Sequence, residues 1–126
     1  MQQNRFASRV FLFAAIYGFI AGSTLFLTNA PDPHRLLYFA FGGIVLVFQC
    51  VFVVISRDPA RYVALMPLCI LEKLSFGVPA PIFYARGEAD LNMALGGAAD
   101  LVLAVFFFLA WRKTRRNGRR RSWRRN

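Results

Sequence analysis

Two long segments of this chain carry no charged side chain. They run from Val10 to Leu27 and from Leu36 to Ile55, and nearly every position in them is apolar. A helix needs roughly 20 apolar residues to cross the hydrocarbon core of a bilayer, which is about 30 Å thick. The pattern therefore predicts membrane-spanning helices over about residues 10–28 and 36–55.

Two further apolar segments are interrupted by polar residues. The third, Tyr62–Tyr84, contains an adjacent acid and lysine and three prolines, and the fourth, Leu91–Trp111, contains one amide and one acid. We predict spans over about residues 62–83 and 90–111. Because the connectors are short, consecutive spans should be antiparallel, so that residues 1–111 form an all-α, polytopic membrane four-helix bundle.

Proline positions predict irregularity in the third helix. Pro67 lacks a backbone donor, which predicts a kink near this residue. The run Gly77-Val-Pro-Ala-Pro81 predicts that the helix is broken after about Val78. At the other end, Asp58 followed by Pro59 is typical of a helix N-terminus.

Composition disfavours a soluble globular domain. The chain has 126 residues, of which 57% are hydrophobic and 17% are charged. Its mass of 14.3 kDa provides too little interior to bury that much apolar surface. The net charge of +10 arises mainly in residues 112–126, which hold nine of the 16 basic side chains. This Arg-rich segment of low complexity is predicted to be a disordered tail.

The basic residues are divided unequally between the two sides of the predicted bundle. Alternating spans place thirteen of them on the side of the termini and two, Arg35 and Arg86, on the other side. The positive-inside rule then puts both termini in the cytoplasm, as expected for a multi-pass protein of the bacterial inner membrane. An alternative is a signal peptide cleaved near residue 30, which the charges leave open because three remaining spans would keep the tail inside.

Three ionisable side chains are predicted at the middle of the bilayer. Glu72 follows Arg61 by eleven residues and Asp100 follows Ala89 by eleven, so both lie roughly 16 Å from their ends of the membrane. Lys73 is adjacent to Glu72. Charged residues at this depth almost always face the interior of a bundle and often mark a functional site.

The predicted buried polar cluster includes two further residues, and its pairing has two alternatives. Asn92 shares a stripe of the fourth helix with Asp100, and Gln49 of the second helix is a candidate hydrogen-bond partner. Because adjacent residues point about 100° apart, Lys73 and Glu72 are not expected to face the fourth helix equally well. Either Lys73 pairs with Asp100, or Glu72 and Asp100 share a proton. The cluster is then a structural polar knot or a functional pocket.

Small residues recur in the predicted helices at positions that favour close packing. Gly18 and Gly22 lie four residues apart in the first helix, and Gly96 and Gly97 lie in the fourth. Small residues allow helix backbones to approach closely in lipid. They predict packing within the bundle, with a dimer face at Gly18 and Gly22 as the alternative.

The basic segment predicts a contact with lipid headgroups. The side chains that follow the fourth span directly are Arg112, Lys113, Arg115 and Arg116. Basic residues next to a span are attracted to anionic lipids. Arg-rich segments also bind RNA phosphates, but attachment to a membrane disfavours a nucleic-acid partner. The candidate partners are therefore membrane lipids, a second copy of the chain, or a partner membrane subunit.

The sequence contains no recognisable catalytic or metal-binding motif. Cys50 and Cys69 lie in apolar segments without a CxxC or Cys/His cluster, and His34 is the only histidine. Neither a zinc site nor an iron–sulfur site is supported, so both cysteines are interpreted as reduced hydrophobic residues. No metal or cofactor is predicted, and an enzymatic role is disfavoured.

Three stretches of the chain carry a family resemblance. They are Arg-Asp-Pro-Ala-Arg-Tyr at 57–62, Leu-Glu-Lys-Leu-Ser-Phe at 71–76 and Ala-Asp-Leu-Val-Leu-Ala-Val-Phe at 99–106. This pattern resembles the small four-span bacterial inner-membrane proteins of the broad DoxX-like kind. The resemblance implies that Glu72 and Asp100 are family-like buried acids, and some such proteins are linked to quinone or thiol redox complexes. Small multidrug transporters are also four-span chains, and they resemble one another in a membrane glutamate on the first helix. The first span of this chain has no charged residue, so that interpretation is disfavoured.

Three functions are consistent with these observations. The one we favour is a non-enzymatic membrane subunit or small binding protein whose buried acids hold a polar head or a partner helix. The second is a small proton-coupled transporter that uses Glu72 and Asp100. The third is a redox or quinone-linked membrane subunit, which the lack of a catalytic motif disfavours.

Overall fold

The computed structural model describes residues 4–27 and 33–123, with side chains through residue 119. All regular elements in this part of the chain are helical, and it contains no strand. The elements are α1 (Arg5–Leu27), α2 (Arg35–Arg57), a 3₁₀ turn (Val63–Leu65), α3 (Met66–Gly77), α4 (Pro79–Ala85) and α5 (Leu91–Trp123). The prediction of an all-α fold is confirmed.

Four helical segments are long and apolar enough to cross a bilayer. They are Arg5–Leu27, Arg35–Arg57, Val63–Ala85 and Leu91–Arg119. The first three contain 23 residues each, or about 34 Å of helix at 1.5 Å per residue. This length suits a hydrocarbon core of about 30 Å. The helices coincide with the four predicted spans, and α1 and α2 extend a few residues beyond the predicted bounds.

Consecutive spans are antiparallel. Ser8 Oγ, near the start of α1, donates a hydrogen bond to the carbonyl of Ser56, near the end of α2. At the far end of the same pair, Gly42 lies against Phe26. The end of the bundle where α1 begins and α5 finishes is called the basic end here, because it carries most of the arginines. The end that carries Arg35 and Arg86 is called the opposite end.

The third span is built from three short pieces. Asp58 Oδ1 accepts a hydrogen bond from the Arg61 backbone N–H at 3.2 Å, which closes a turn ahead of the 3₁₀ segment. Pro67 lies in the first turn of α3, where a missing donor is harmless. The irregularity predicted near Pro67 takes the form of a change from 3₁₀ to α-helix at Met66, rather than a kink within one continuous α-helix. The break after α3 is confirmed at Val78, and Pro79 starts a new helical turn.

The fourth span begins at a side-chain cap and continues far beyond its predicted end. Asp90 Oδ1 accepts a hydrogen bond from the Met93 backbone N–H at 2.8 Å, as expected of an N-cap residue. The helix then runs without interruption to Trp123. The prediction of disorder is wrong for residues 112–123, and residues 124–126 lie outside the described part.

The extension of α5 is stabilised by contacts between cations and aromatic rings. Arg115 lies 5.5 Å from the centre of the Trp111 ring, one turn back on the same helix. Lys113 Nζ lies 5.1 Å from the ring of Phe6 in α1. Thr114 between them is buried. Arginine and lysine are also good helix formers, so neither local propensity nor packing ends the helix after residue 111.

Large buried apolar side chains are confined to one half of the bundle. Phe11, Phe52 and Phe107 are fully buried and pack together, with the rings of Phe11 and Phe107 stacked at 4.3 Å. These rings lie between Lys73 and the basic end. From Lys73 to the opposite end, the buried backbone positions among those described are glycine and alanine (Gly18, Gly22, Gly42, Gly77, Ala80, Ala94 and Gly97), and the buried amide of Gln49 packs against Gly18.

The small residues hold each hairpin together from within. A Cβ atom at Gly18 would overlap the side-chain amide of Gln49, and one at Gly22 would lie 3.0 Å from Val45 Cγ1. Both glycines thus face α2 of the same chain, so the alternative of a dimer face at these positions is wrong. In the other hairpin, a Cβ at Gly97 would lie 2.6 Å from the Cβ of Ala80.

Candidate functional site

Three ionisable side chains meet in the middle of the bundle, and we call them the triad: Glu72, Lys73 and Asp100. The Lys73 ammonium lies 3.2 Å from Asp100 Oδ1 and 3.3 Å from Glu72 Oε2. Its side chain is only 4% exposed. Lys73 follows the start of its span by ten residues and Asp100 follows the start of α5 by nine. The triad therefore lies about 15 Å along each span, near the middle of a bilayer.

Close approach of two backbones allows this contact. One turn beyond Lys73, a Cβ at Gly77 would lie 3.2 Å from the backbone carbonyl of Gly97 in α5. Asp100 lies one turn along α5 from Gly97 and has a short side chain. Because α3 and α5 touch through glycines, this short carboxylate reaches the lysine on the facing helix.

The lysine ammonium has an apolar neighbour on the side of the basic end. Lys73 Nζ lies 5.4 Å from the centre of the Phe52 ring. Phe52 belongs to the buried aromatic group and packs against Phe107 with ring centres 5.0 Å apart. This geometry is a cation–π contact, which is strongest where water is excluded. The aromatic rings close the site toward the basic end.

The triad has more acceptor capacity than it uses. Two carboxylates share one ammonium, so the fully ionised triad carries one net negative charge. Glu72 Oε2 is buried, and the Lys73 ammonium at 3.3 Å is its polar contact within the described residues. The side chains of Glu72 and Asp100 are 12% and 13% exposed, about three times the exposure of Lys73. The carboxylates are therefore more open than the ammonium that they hold.

The observed pairing includes the predicted ion pair between Lys73 and Asp100, but Lys73 does not pair with one acid alone. Lys73 contacts Asp100, as the first alternative predicted, yet it also contacts Glu72 of its own helix. Adjacent residues start about 100° apart, but the four-carbon lysine stem bends far enough to reach both acids. A direct Glu72–Asp100 hydrogen bond, the second alternative, is not among the described contacts.

Asn92 was predicted to belong to the buried cluster, and this is wrong. Its side chain is exposed, one position after the start of α5. Residues at a spacing of four drift by about 40° per step, so two steps rotate Asn92 about 80° away from the direction of Asp100. The stripe that appears straight in the sequence therefore turns out of the interior before it reaches the end of the helix.

Gln49 is buried as predicted, but its contacts lie in the other hairpin. Gln49 Nε2 donates a hydrogen bond to the carbonyl of Val45 at 2.8 Å, one turn back in α2. Its amide packs against Gly18, and Oε1 has no partner in the described part of the chain. No described contact joins Gln49 to the triad, so its predicted role as a partner of the cluster is not found.

Two aromatic residues border the triad without having been predicted to do so. The Phe52 ring contacts the Lys73 ammonium, as described above. Phe76 lies in α3 four residues after Glu72, on the way to the opposite end, and its ring lies 5.7 Å from that of Phe41 in α2. The sequence contains 14 phenylalanines in similar apolar surroundings. Nothing in their spacing distinguishes these two from the ones that face lipid.

The remaining predicted positions are placed as follows. Gly97 lies in the α4–α5 contact, whereas Gly96 is looser, with a Cβ there at an ordinary 3.5 Å from Phe76. Cys69 is buried in the core, while Cys50 is exposed on the outer surface of α2, and both are free thiols. No group of three potential metal ligands occurs among the residues searched, which are those the structure describes.

The basic residues after the fourth span divide between two faces of α5. Arg112, Lys113 and Arg116 line a cavity at the basic end, next to Phe6. Arg115 instead lies over Trp111 and is not part of that lining. Of the four residues predicted to contact headgroups, three therefore line the cavity, and Arg115 lies apart from them.

Comparison with protein-family models, with curated proteins and with solved structures finds no match to this chain. The DoxX-like resemblance of the three stretches therefore stays a prediction. The triad and its surroundings are therefore the features of this chain that bear on its function.

Proposed function

We propose that this chain is a non-enzymatic, multi-pass membrane binding protein whose triad holds a polar, hydrogen-bond-donating group of a membrane-borne molecule. The observation that carries the proposal is the charge imbalance of the triad. Glu72 Oε2 and Asp100 Oδ1 both contact the ammonium of Lys73, so two largely buried carboxylates share one cation. A carboxylate charge without a cation of its own is costly in an apolar bundle, and a ligand that supplies a donor or a positive charge would reduce that cost.

The uneven packing of the bundle supports access to the triad from one side. Large buried rings close the half toward the basic end. Toward the opposite end, the buried groups are glycine, alanine and the Gln49 amide, and they pack inside the two hairpins. Between the hairpins, the rings of Phe41 and Phe76 lie 5.7 Å apart, and neither side chain is fully buried. A lipid-soluble molecule that approaches the carboxylates from this side would displace partly exposed rings rather than a buried aromatic core.

The charge distribution supports an orientation for this access. In the sequence, the terminal segments and the connector between the second and third spans hold thirteen basic residues, and the other two connectors hold two. We infer that the basic end and both termini are cytoplasmic, in the inner membrane of a bacterium. The open half of the bundle then lies in the outer leaflet of that membrane, and ligands reach the triad from the periplasmic side.

A long-chain primary amine is a direct probe of the proposal. Dodecylamine combines an apolar chain with a cationic donor, whereas dodecanol has the same chain without the positive charge. In nanodiscs of phosphatidylcholine, dodecylamine is expected to raise the Tm of the wild-type chain more than dodecanol does. A ligand at a hundred times its Kd stabilises the folded state by about 2.7 kcal/mol.

Matched variants separate the triad from general charge effects. Glu72→Gln removes one carboxylate of the triad, and Glu88→Gln removes one carboxylate from the exposed connector before α5. The gain in Tm from dodecylamine should be lost in Glu72→Gln and retained in Glu88→Gln. Equal gains in all three proteins would reject a binding role of the triad.

A proton-coupled transporter is the second candidate, and the one-sided closure of the site supports it. A transporter must open to one side at a time, and the aromatic group closes only the side of the basic end. The test uses proteoliposomes with an imposed pH gradient. Tetraethylammonium, a membrane-impermeant cation, is supplied as the candidate substrate. Faster loss of the gradient with the wild type than with Asp100→Asn would favour transport, and identical rates would reject it.

A further inference from the structure

A second charged site lies at the basic end, between the start of α1 and the extension of α5. It is a cavity of about 570 Å³, open to the surroundings, which we call the basic groove. Its lining consists of Phe6, Leu109, Arg112, Lys113, Arg116 and Asn117. Arg112 follows Asp100 by twelve residues, or about 18 Å of helix. The basic groove is therefore separate from the triad.

The basic groove is lined by cations without acids. Three of its six lining residues are basic and none is acidic. No ion pair is described for Arg112, Lys113 or Arg116, whereas both ion pairs of the triad involve Lys73. The one acid of the described chain near this end, Asp58, lies in the connector after α2. No acid among the described residues balances the charge of the groove, so the groove is suited to an anionic ligand.

The groove also has an apolar side and an unused donor. Leu109 and Phe6 line the part that faces the bundle, and Lys113 lies against the Phe6 ring. Asn117 Nδ2 is buried and donates no hydrogen bond within the part of the chain that the structure describes. Cations, a buried donor and an apolar wall thus lie together where α5 leaves the apolar span.

We propose that the basic groove binds the phosphate-ester headgroup of an anionic phospholipid. Arg112 and Arg116 contact the phosphate, since guanidinium groups match phosphate oxygens with paired hydrogen bonds. Asn117 supplies a further donor to the same headgroup. The first methylenes of an acyl chain lie along Leu109 and Phe6. The apolar wall distinguishes a lipid from free phosphate, which has no group to place against it.

Native mass spectrometry of the full chain in detergent tests this site. The protein is incubated with equal amounts of phosphatidylglycerol and phosphatidylcholine of identical acyl chains, and the ratio of retained lipids is measured. Wild type is expected to retain phosphatidylglycerol over phosphatidylcholine by about tenfold. The double variant Arg112→Gln, Arg116→Gln should lower this ratio at least about fivefold, since each cation contributes to headgroup attraction.

A control variant removes the same charge elsewhere at the basic end. Arg57→Gln combined with Arg115→Gln leaves the groove intact, because neither residue lines it. Its retention ratio should stay within about twofold of the wild-type ratio. Equal losses in the two double variants would overturn the site and leave only general attraction by the basic segment. Circular dichroism is the control for folding: both double variants should keep the helical content of wild type.

Two further measurements test the role of Asn117 and the source of the phosphate. Asn117→Ala removes a donor without a change in charge and should lower phosphatidylglycerol retention by about twofold to fivefold. Unchanged retention in this variant would overturn its assignment to the headgroup. Inorganic phosphate, added as a competitor, should fail to displace the lipid. Complete displacement would show a site for a soluble anion and overturn the lipid assignment.

Discussion

Lys73 and Asp100 form an ion pair between α3 and α5, with Nζ and Oδ1 3.2 Å apart. Glu72 shares the same ammonium at 3.3 Å. Removal of one acid therefore leaves a neutral pair, whereas removal of the lysine leaves two carboxylates close together in an apolar bundle. This asymmetry was not expected from the sequence, and it distinguishes a shared lysine from a simple pair.

The three triad residues are expected to differ in their effect on stability. Lys73→Met should lower the free energy of unfolding by about 3–5 kcal/mol, the usual cost when a buried charge loses its partner. Asp100→Asn should cost less than half as much, because Glu72 still neutralises the ammonium. Denaturation in mixed micelles measures both costs. Equal losses for the two variants would show that Glu72 does not share the lysine.

A double-mutant cycle measures the coupling directly. Lys73→Met combined with Asp100→Asn leaves only Glu72 at the site, so the double variant should lose less than the sum of the two single variants. Additive losses would reject an interaction between Lys73 and Asp100. The variant Glu88→Gln, in the exposed connector, should leave the stability within about 0.5 kcal/mol of wild type.

Two adjacent glycines provide a matched test of the α4–α5 contact. A methyl group at Gly97 would lie 2.6 Å from the Cβ of Ala80, whereas one at Gly96 would have an ordinary contact at 3.5 Å. Gly97→Ala should therefore cost about 1–3 kcal/mol through overpacking. Gly96→Ala should be neutral or stabilise by up to about 1 kcal/mol, since alanine favours a helix. The same mixed-micelle denaturation compares them, and a reversed order would contradict the packing.

The two cysteines are expected to differ in reactivity. Cys50 is exposed on α2 and Cys69 is buried in the core. In detergent, N-ethylmaleimide should modify Cys50 at least about tenfold faster than Cys69, because burial of the Cys69 side chain excludes the reagent. The variants Cys50→Ala and Cys69→Ala isolate each thiol for mass-spectrometric rates. Rapid modification of Cys69 in the folded protein would show an aqueous path into the core near Glu72.

Reporter fusions test the proposed orientation. Alkaline phosphatase is active only in the periplasm, so a fusion after Asn126 should be inactive and one after Pro33 should be active. A cytoplasmic fluorescent reporter at the same two positions should give the reverse pattern. An active phosphatase fusion at Asn126 would place the basic end outside and contradict the proposed inner-membrane topology.

Local chemistry explains which features of the fold were predicted correctly. The break at Val78 follows from the prolines next to it, because a proline acts on the few residues before it. The extension of α5 was missed because Lys113 contacts Phe6, a residue more than a hundred positions away.

The candidate site was predicted in part for the same reason. Depth along a span depends only on the count of residues, so Glu72, Lys73 and Asp100 were placed at one level correctly. Direction around a helix depends on rotation and on packing against neighbours. Asn92 was therefore assigned to the interior wrongly, and Gln49 to the wrong set of contacts.

By itself, the sequence determined that four apolar helices form and that three charges lie near their middle. The reason is physical: hydrocarbon penalises every charge and every unpaired backbone group, so the pattern of apolar residues alone decides which segments span it. Only the tertiary structure decided that Lys73 joins both acids, that Phe52 lies beneath it, and that the large core fills one half of the bundle. Those arrangements depend on how closely distant helices approach at their glycines, and the spacing of residues along one chain does not specify that approach.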